Sequence, residues 1–147
     1  MMTRHWPSRR HAGLLLLVLT ACGGPARPGV RAGDLLLTDG FAYAPLDSAV
    51  GAAYVTIHNA GMAPDTLLDL SSPIAEGVMV HGGDMAGMGP AVVGAHDSLV
   101  FTPGGAHLML MNLSALPKAG DSLALTLRFA RAGTVTVRLP VRPYGTE

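Results

Sequence analysis

Between Met79 and Met111 the chain reads MVHGGDMAGMGPAVVGAHDSLVFTPGGAHLMLM, a stretch holding three of the six histidines and five of the eight methionines. Its donors are imidazoles and thioethers, with no thiol and no carboxylate cluster beside them. At its end, His107-Leu108-Met109-Leu110-Met111 alternates donor side chains with leucine. In a strand, side chains two apart share a face, so His107 and Met109 stand about 6.5 Å apart at a rise of about 3.3 Å per residue. Upstream, His81 leads into a glycine-rich segment carrying Met85 and Met88. Neutral imidazoles with thioethers suit copper, and the sulfurs favour Cu(I). Zinc would call for further histidine or carboxylate ligands.

The other candidates in and around this stretch have blander readings. Met79 alternates with Val78 and Val80 and is read as core, and Met111 as core or as backing for Met109. His96, beside Asp97, is read as a solvated surface residue, and His58, next to Asn59, as a turn residue. Asp84 is placed to accept a hydrogen bond from a ligand imidazole. Ser71, Ser72 and the histidines form no nucleophile motif, and paired carboxylates do not recur, so no enzymatic activity is expected.

The elements that must position these residues are short and β-like. The chain has 147 residues, 49% hydrophobic and 14% charged, with 19 glycines and 11 prolines punctuating brief apolar runs. That texture predicts one all-β domain with an ample core. Strands are expected over 34–43, with a bulge at Gly40, and over 52–58, 65–71, 76–81, 96–101 and 106–111. The last two are the clearest. Leu123, Leu125, Leu127 and Phe129 form one face, Val135, Val137, Leu139 and Val141 another, and Arg131-Ala132-Gly133 connects them as a hairpin. The spacing gives a sandwich of seven to nine mostly antiparallel strands.

The first residues read as a leader. Arg4, Arg9 and Arg10 precede the apolar run Leu14 to Leu19, a secretory signal too short to span a bilayer. It ends in Leu19-Thr20-Ala21-Cys22, which resembles a bacterial lipoprotein signal and would make Cys22 the lipidated N-terminus. Gly23 rather than Asp after that cysteine points, in a Gram-negative envelope, to the outer membrane. The expected layout is therefore signal peptide 1–21, lipidated cysteine and flexible tether 22–33, domain 34–143 and tail 144–147. Without the leader, 7 basic residues face 10 acidic ones, which leaves no basic stripe for nucleic acid. A single cysteine allows no intramolecular disulfide, and a blue-copper centre is excluded because the folded domain has no thiolate.

With these segments in view, the chain resembles the PCu(A)C family of periplasmic copper chaperones, the DUF461 group. The resemblance rests on GAAYVTIHNAG at 51–61, SSPIAEGVMVHGGDM at 71–85, PGGAHLMLMNL at 103–113, KAGDSLALTLRF at 118–129 and AGTVTVRLPV at 132–141. It implies a cupredoxin-like β-sandwich or barrel and a Cu(I) site built from His81, His107, Met109 and a middle methionine. Met88 is the expected middle ligand and Met85 the alternative. Only six residues separate His81 from Met88 and eighteen separate Met88 from His107, a shorter spacing than the family pattern. The resemblance further implies delivery of copper toward cytochrome c oxidase subunit II, alongside a Sco-type thioredoxin-like partner. Two other readings stand beside it: a copper-storage or resistance lipoprotein, and a metal-free envelope sandwich that acts as an interaction module.

Overall fold

Strands β9 (Ser122–Phe129) and β10 (Gly133–Arg142) carry the strictest alternation, and the fold follows it residue by residue. Leu123, Leu125, Leu127 and Phe129 are buried, as are Val135, Val137, Leu139 and Val141, while most of their neighbours face outward. Each such side chain contributes about 1.5–3 kcal/mol on burial. The computed structural model describes residues 29–83 and 90–146. The remaining strands are β1 (Gly29–Ala32), β2 (Leu35–Tyr43), β3 (Val50–Asn59), β4 (Asp65–Ser71), β5 (Ala75–His81), β6 (Ala91–Val93), β7 (Ser98–Phe101) and β8 (His107–Leu113). No α-helix occurs among the described residues, and the architecture is the expected all-β, cupredoxin-like one.

The strand order is β5-β8-β3-β2-β10-β9-β4-β6, with β1 on β2 and β7 on β3. Strand β10 joins the two layers: Gly133 to Pro140 pair antiparallel with β9, then Val141 and Arg142 run parallel to Ala42 and Tyr43 of β2. Leu125 and Leu127 of one layer and Ile57, Leu108 and Leu110 of the other meet in a single core. Strand β3 is shared lengthwise: residues 50–53 pair with β8 and residues 55–58 with β7. The expected bulge is present, because the β2–β3 register shifts between Thr38 and Phe41 where Asp39 has φ of 54°. A Cβ at Gly40 would lie 2.5 Å from Leu139 Cδ2, so any larger residue at that bend must displace the buried Leu139 side chain.

Two strands lie outside the expected set, giving ten rather than seven to nine. Residues 29–32, read as tether, form β1 and pair with Leu35 to Thr38 of β2. An edge strand exposed along most of its length has no apolar alternation to betray it. Strand β6 is only three residues long, too short to show a period. Two buried polar side chains lock the far end of the sandwich. Asp65 accepts from the amides of Thr66, Arg131 and Ala132, each at 2.8 Å, tying β4 to the β9–β10 turn. Asn59 accepts from Gly61 N and donates to the carbonyls of Ala63 and Val93.

Candidate metal centre

The two strands that carry the predicted donors lie side by side. β5 and β8 are antiparallel, and their register sets His81 directly opposite His107 and Met79 directly opposite Met109. Leu108 and Leu110 turn inward and are completely buried. The alternation therefore sends His107, Met109 and Met111 to the outer face, where they are half-buried. On β5, Val78 and Val80 pack on the core while Met79 and His81 are exposed. The ring centroids of His81 and His107 are 5.2 Å apart with 61° between planes. A metal–nitrogen bond of about 2.0–2.1 Å plus about 1.1 Å to the ring centre puts each centroid about 3.2 Å from a shared ion, so a tetrahedral angle separates them by about 5.2 Å. The observed separation of the two rings matches that distance.

Local backbone geometry aims the His107 ring. Its Nδ1 lies 3.2 Å from the Gly105 carbonyl oxygen. With Nδ1–H donating there, Nε2 is left as the lone-pair nitrogen for a metal. Gly82 closes over this arrangement with φ of 78°; a Cβ there would come within 2.9 Å of Gly105 O and 3.3 Å of the His107 ring. Gly83, with φ of 60°, approaches Ala106 N in the same way. The glycine pair after His81 thus lets β5 run out against the start of β8 without displacing the imidazole.

On the other side, β8 borders an aromatic cluster. Tyr54 lies 6.4 Å from the His107 ring, 4.8 Å from Phe41 and 5.5 Å from Tyr43, centroid to centroid, and Arg142 sits 4.0 Å over Phe41. Burial under these rings, with smaller contributions from Tyr43 and Tyr144, pushes the Tyr54 phenol above its ordinary range. His107 and Met109 also line a groove of about 250 Å³ together with Tyr43, Leu46, Val50 and Tyr144. The donor pair therefore borders a largely apolar groove that is open to solvent.

The structure brings together His81, His107 and Met109. Met88, its alternative Met85, Asp84 and Cys22 lie outside the described residues. Met79 corrects the sequence reading: it is 43% exposed rather than core, because it shares parity with His81 and not with Val78 and Val80. That parity was available from the two-residue spacing alone. Met111 lies on the outer face, and its methyl comes within 3.0 Å of where a Gly77 Cβ would be. His58 is a pin within the sheet rather than a turn residue, with Nδ1 2.7 Å from Ser98 Oγ and Nε2 3.2 Å from Thr38 Oγ1. Both its nitrogens are engaged, which leaves none for a metal. His96 is exposed as expected. Among the described residues no three His, Cys, Asp or Glu side chains gather to hold an ion; the side chains that share this face of the β5–β8 ladder with the two histidines include the thioethers of Met79 and Met109.

Residues 35–141 match the model of a family described as "Putative lipoprotein LpqE-like". The chain is 29% identical over 145 residues to "Putative lipoprotein Lxx21020" of Leifsonia xyli subsp. xyli, covering 88% of this chain and 86% of that one. Among solved structures, the copper-bound PCuAC domain from PmoF2 superposes with a TM-score of 0.73 at 24% identity, over 79% of this chain and 98% of the domain. The solution structure of CuI-DR1885 from Deinococcus radiodurans superposes with a TM-score of 0.60 at 26% identity, over 80% and 82% of the two chains. With a family match that covers β2 to β9 and all but the last residue of β10, and so carries the ladder of His81 and His107, the chain belongs to the LpqE-like lipoprotein family and has the PCu(A)C fold.

Proposed function

We propose that the protein is a Cu(I) chaperone of the cell envelope. The observation that carries this reading is the His81–His107 rung, with centroids 5.2 Å apart, followed on the same face, two residues along β8, by the Met109 thioether. His81, His107 and Met109 hold the ion, and Met88, or Met85 in its place, supplies a further sulfur. Neutral imidazoles and thioethers put no negative charge on the cargo, so Cu(I) is held by soft donation and remains transferable. No ligand is a thiol, so oxidation to a disulfide cannot destroy the site. The likeness to a protein solved with Cu(I) at 26% identity supports the same cargo here. Lipid at Cys22 anchors the domain on the periplasmic side, at the outer membrane in a two-membrane envelope. The acceptor we propose is the copper centre of cytochrome c oxidase subunit II, reached alone or with a Sco-type thioredoxin-like partner.

The test is an anaerobic Cu(I) titration of the full-length protein in detergent against a chromophoric Cu(I) chelator. One tight equivalent, weakened by His81→Ala, His107→Ala and Met109→Leu, is the expected result. Failure to compete with the chelator would move the protein to the metal-free interaction reading. Tight binding with no transfer to an apo acceptor domain would move it to storage.

A further inference from the structure

Met79 occupies a position that the family resemblance does not mark as a ligand. It lies two residues before His81, so both side chains leave the same face of β5. Across the ladder it faces Met109 as His81 faces His107. Two successive pairs on the outer face therefore carry matched soft donors, imidazole opposite imidazole and thioether opposite thioether, with Val80 opposite Leu108 between them on the inner face. A single exposed apolar side chain is ordinary on any protein surface. Here, however, the exposed side chain is a methionine at 43% exposure, and its direct cross-strand partner is the proposed ligand thioether. The next outer-face pair differs: Met111 faces Gly77, and its methyl lies close to the place a Gly77 Cβ would take.

We infer that Met79 is a Cu(I) ligand, so that the β5–β8 ladder by itself presents two imidazoles and two thioethers to one ion. This rests on the copper reading above and gives Met79 the fourth position, which that reading assigned to Met88 or Met85. Cβ atoms directly opposite on antiparallel strands lie about 4.5–5.5 Å apart, and one same-face pair along the strand adds about 6.5 Å. Rotation about Cα–Cβ and Cβ–Cγ swings each methionine sulfur along the strand, toward an ion held between the two same-face pairs. Donors fixed on paired strands are positioned more precisely than donors on a loop. The ladder then sets the affinity of the site through its register, without any requirement on the residues between 83 and 90.

The experiment compares full-length wild type, Met79→Leu, and the Met85→Leu/Met88→Leu double variant under anaerobic Cu(I) competition. Copper K-edge absorption counts the bound sulfurs, and ¹³C-methyl methionine spectra follow each thioether. The expected results are at least a tenfold loss of affinity in Met79→Leu, one fewer Cu–S scatterer, a Cu(I)-induced shift of the Met79 methyl in wild type, and wild-type affinity and sulfur count in the Met85→Leu/Met88→Leu double variant. Wild-type affinity in Met79→Leu, with an unchanged sulfur count and an unmoved Met79 methyl, overturns the inference and leaves the copper reading standing. Absence of Cu(I) binding by wild type overturns both. Because leucine at an exposed strand position keeps shape and burial, an unchanged melting curve for Met79→Leu separates ligand loss from misfolding.

Discussion

Gly82→Ala tests how the backbone sets the His107 imidazole. Gly82 has φ of 78°, and an added Cβ would meet Gly105 O at 2.9 Å and the His107 Cε1 and Nδ1 at 3.3 Å. Two effects combine. The left-handed conformation costs a non-glycine residue about 1–2 kcal/mol. The steric contact falls on the carbonyl that accepts from Nδ1, so relief requires that carbonyl or the ring to move. Disturbing a partner that orients a metal-bound histidine weakens metal affinity about 10–100-fold, and the lower end is expected because Gly105 can shift by tenths of an ångström. Gly104 and Gly133 supply matched controls, since their φ values are 79° and 78° and a Cβ at either meets nothing within 4 Å. Urea unfolding and Cu(I) competition on the three alanine variants separate the effects. All three should lose about 1–2 kcal/mol of stability, and only Gly82→Ala should lose about tenfold in Cu(I) affinity. Equal copper affinity in Gly82→Ala and Gly104→Ala would refute the argument that the Gly82–Gly105 approach orients His107.

Three further outcomes follow from the fold. Leu108 is fully buried between the two donor residues of β8, so Leu108→Ala should cost about 3–5 kcal/mol in denaturant unfolding. Asp65→Ala removes the acceptor of three backbone amides; the stability loss should be about 3 kcal/mol or more, with Cu(I) affinity unchanged in whatever remains folded. Tyr54 binds its proton more tightly folded than unfolded, since burial raises its phenol above its ordinary value of 10.0. Its contribution is fully present below that value and is lost as pH rises through the higher folded value. Tyr54→Phe should accordingly flatten the fall in melting temperature above about pH 10.

Much of this protein follows from local pattern. Alternation over 122–142 specified two half-buried strands and their inward faces, because one buried face imposes a period of two on a strand. The same parity put His107 and Met109 on one face, and Gly40 announced the bulge in β2. Local pattern was silent on β1 and β6, whose exposure and brevity leave no period to read. It also misled at Met79, where valine neighbours suggested core although the parity with His81 pointed outward. What required the tertiary structure was the pairing of β5 with β8. Their sequence separation gives no register, and a slip of one residue would turn either donor set into the core. Burial of Leu108 and Leu110 on one strand, and partial burial of Val78 and Val80 on the other, fixes which faces point outward, and the pairing of the two strands then sets His81 against His107. The donor types are thus a property of the sequence, and their convergence is a property of the packed core beneath them.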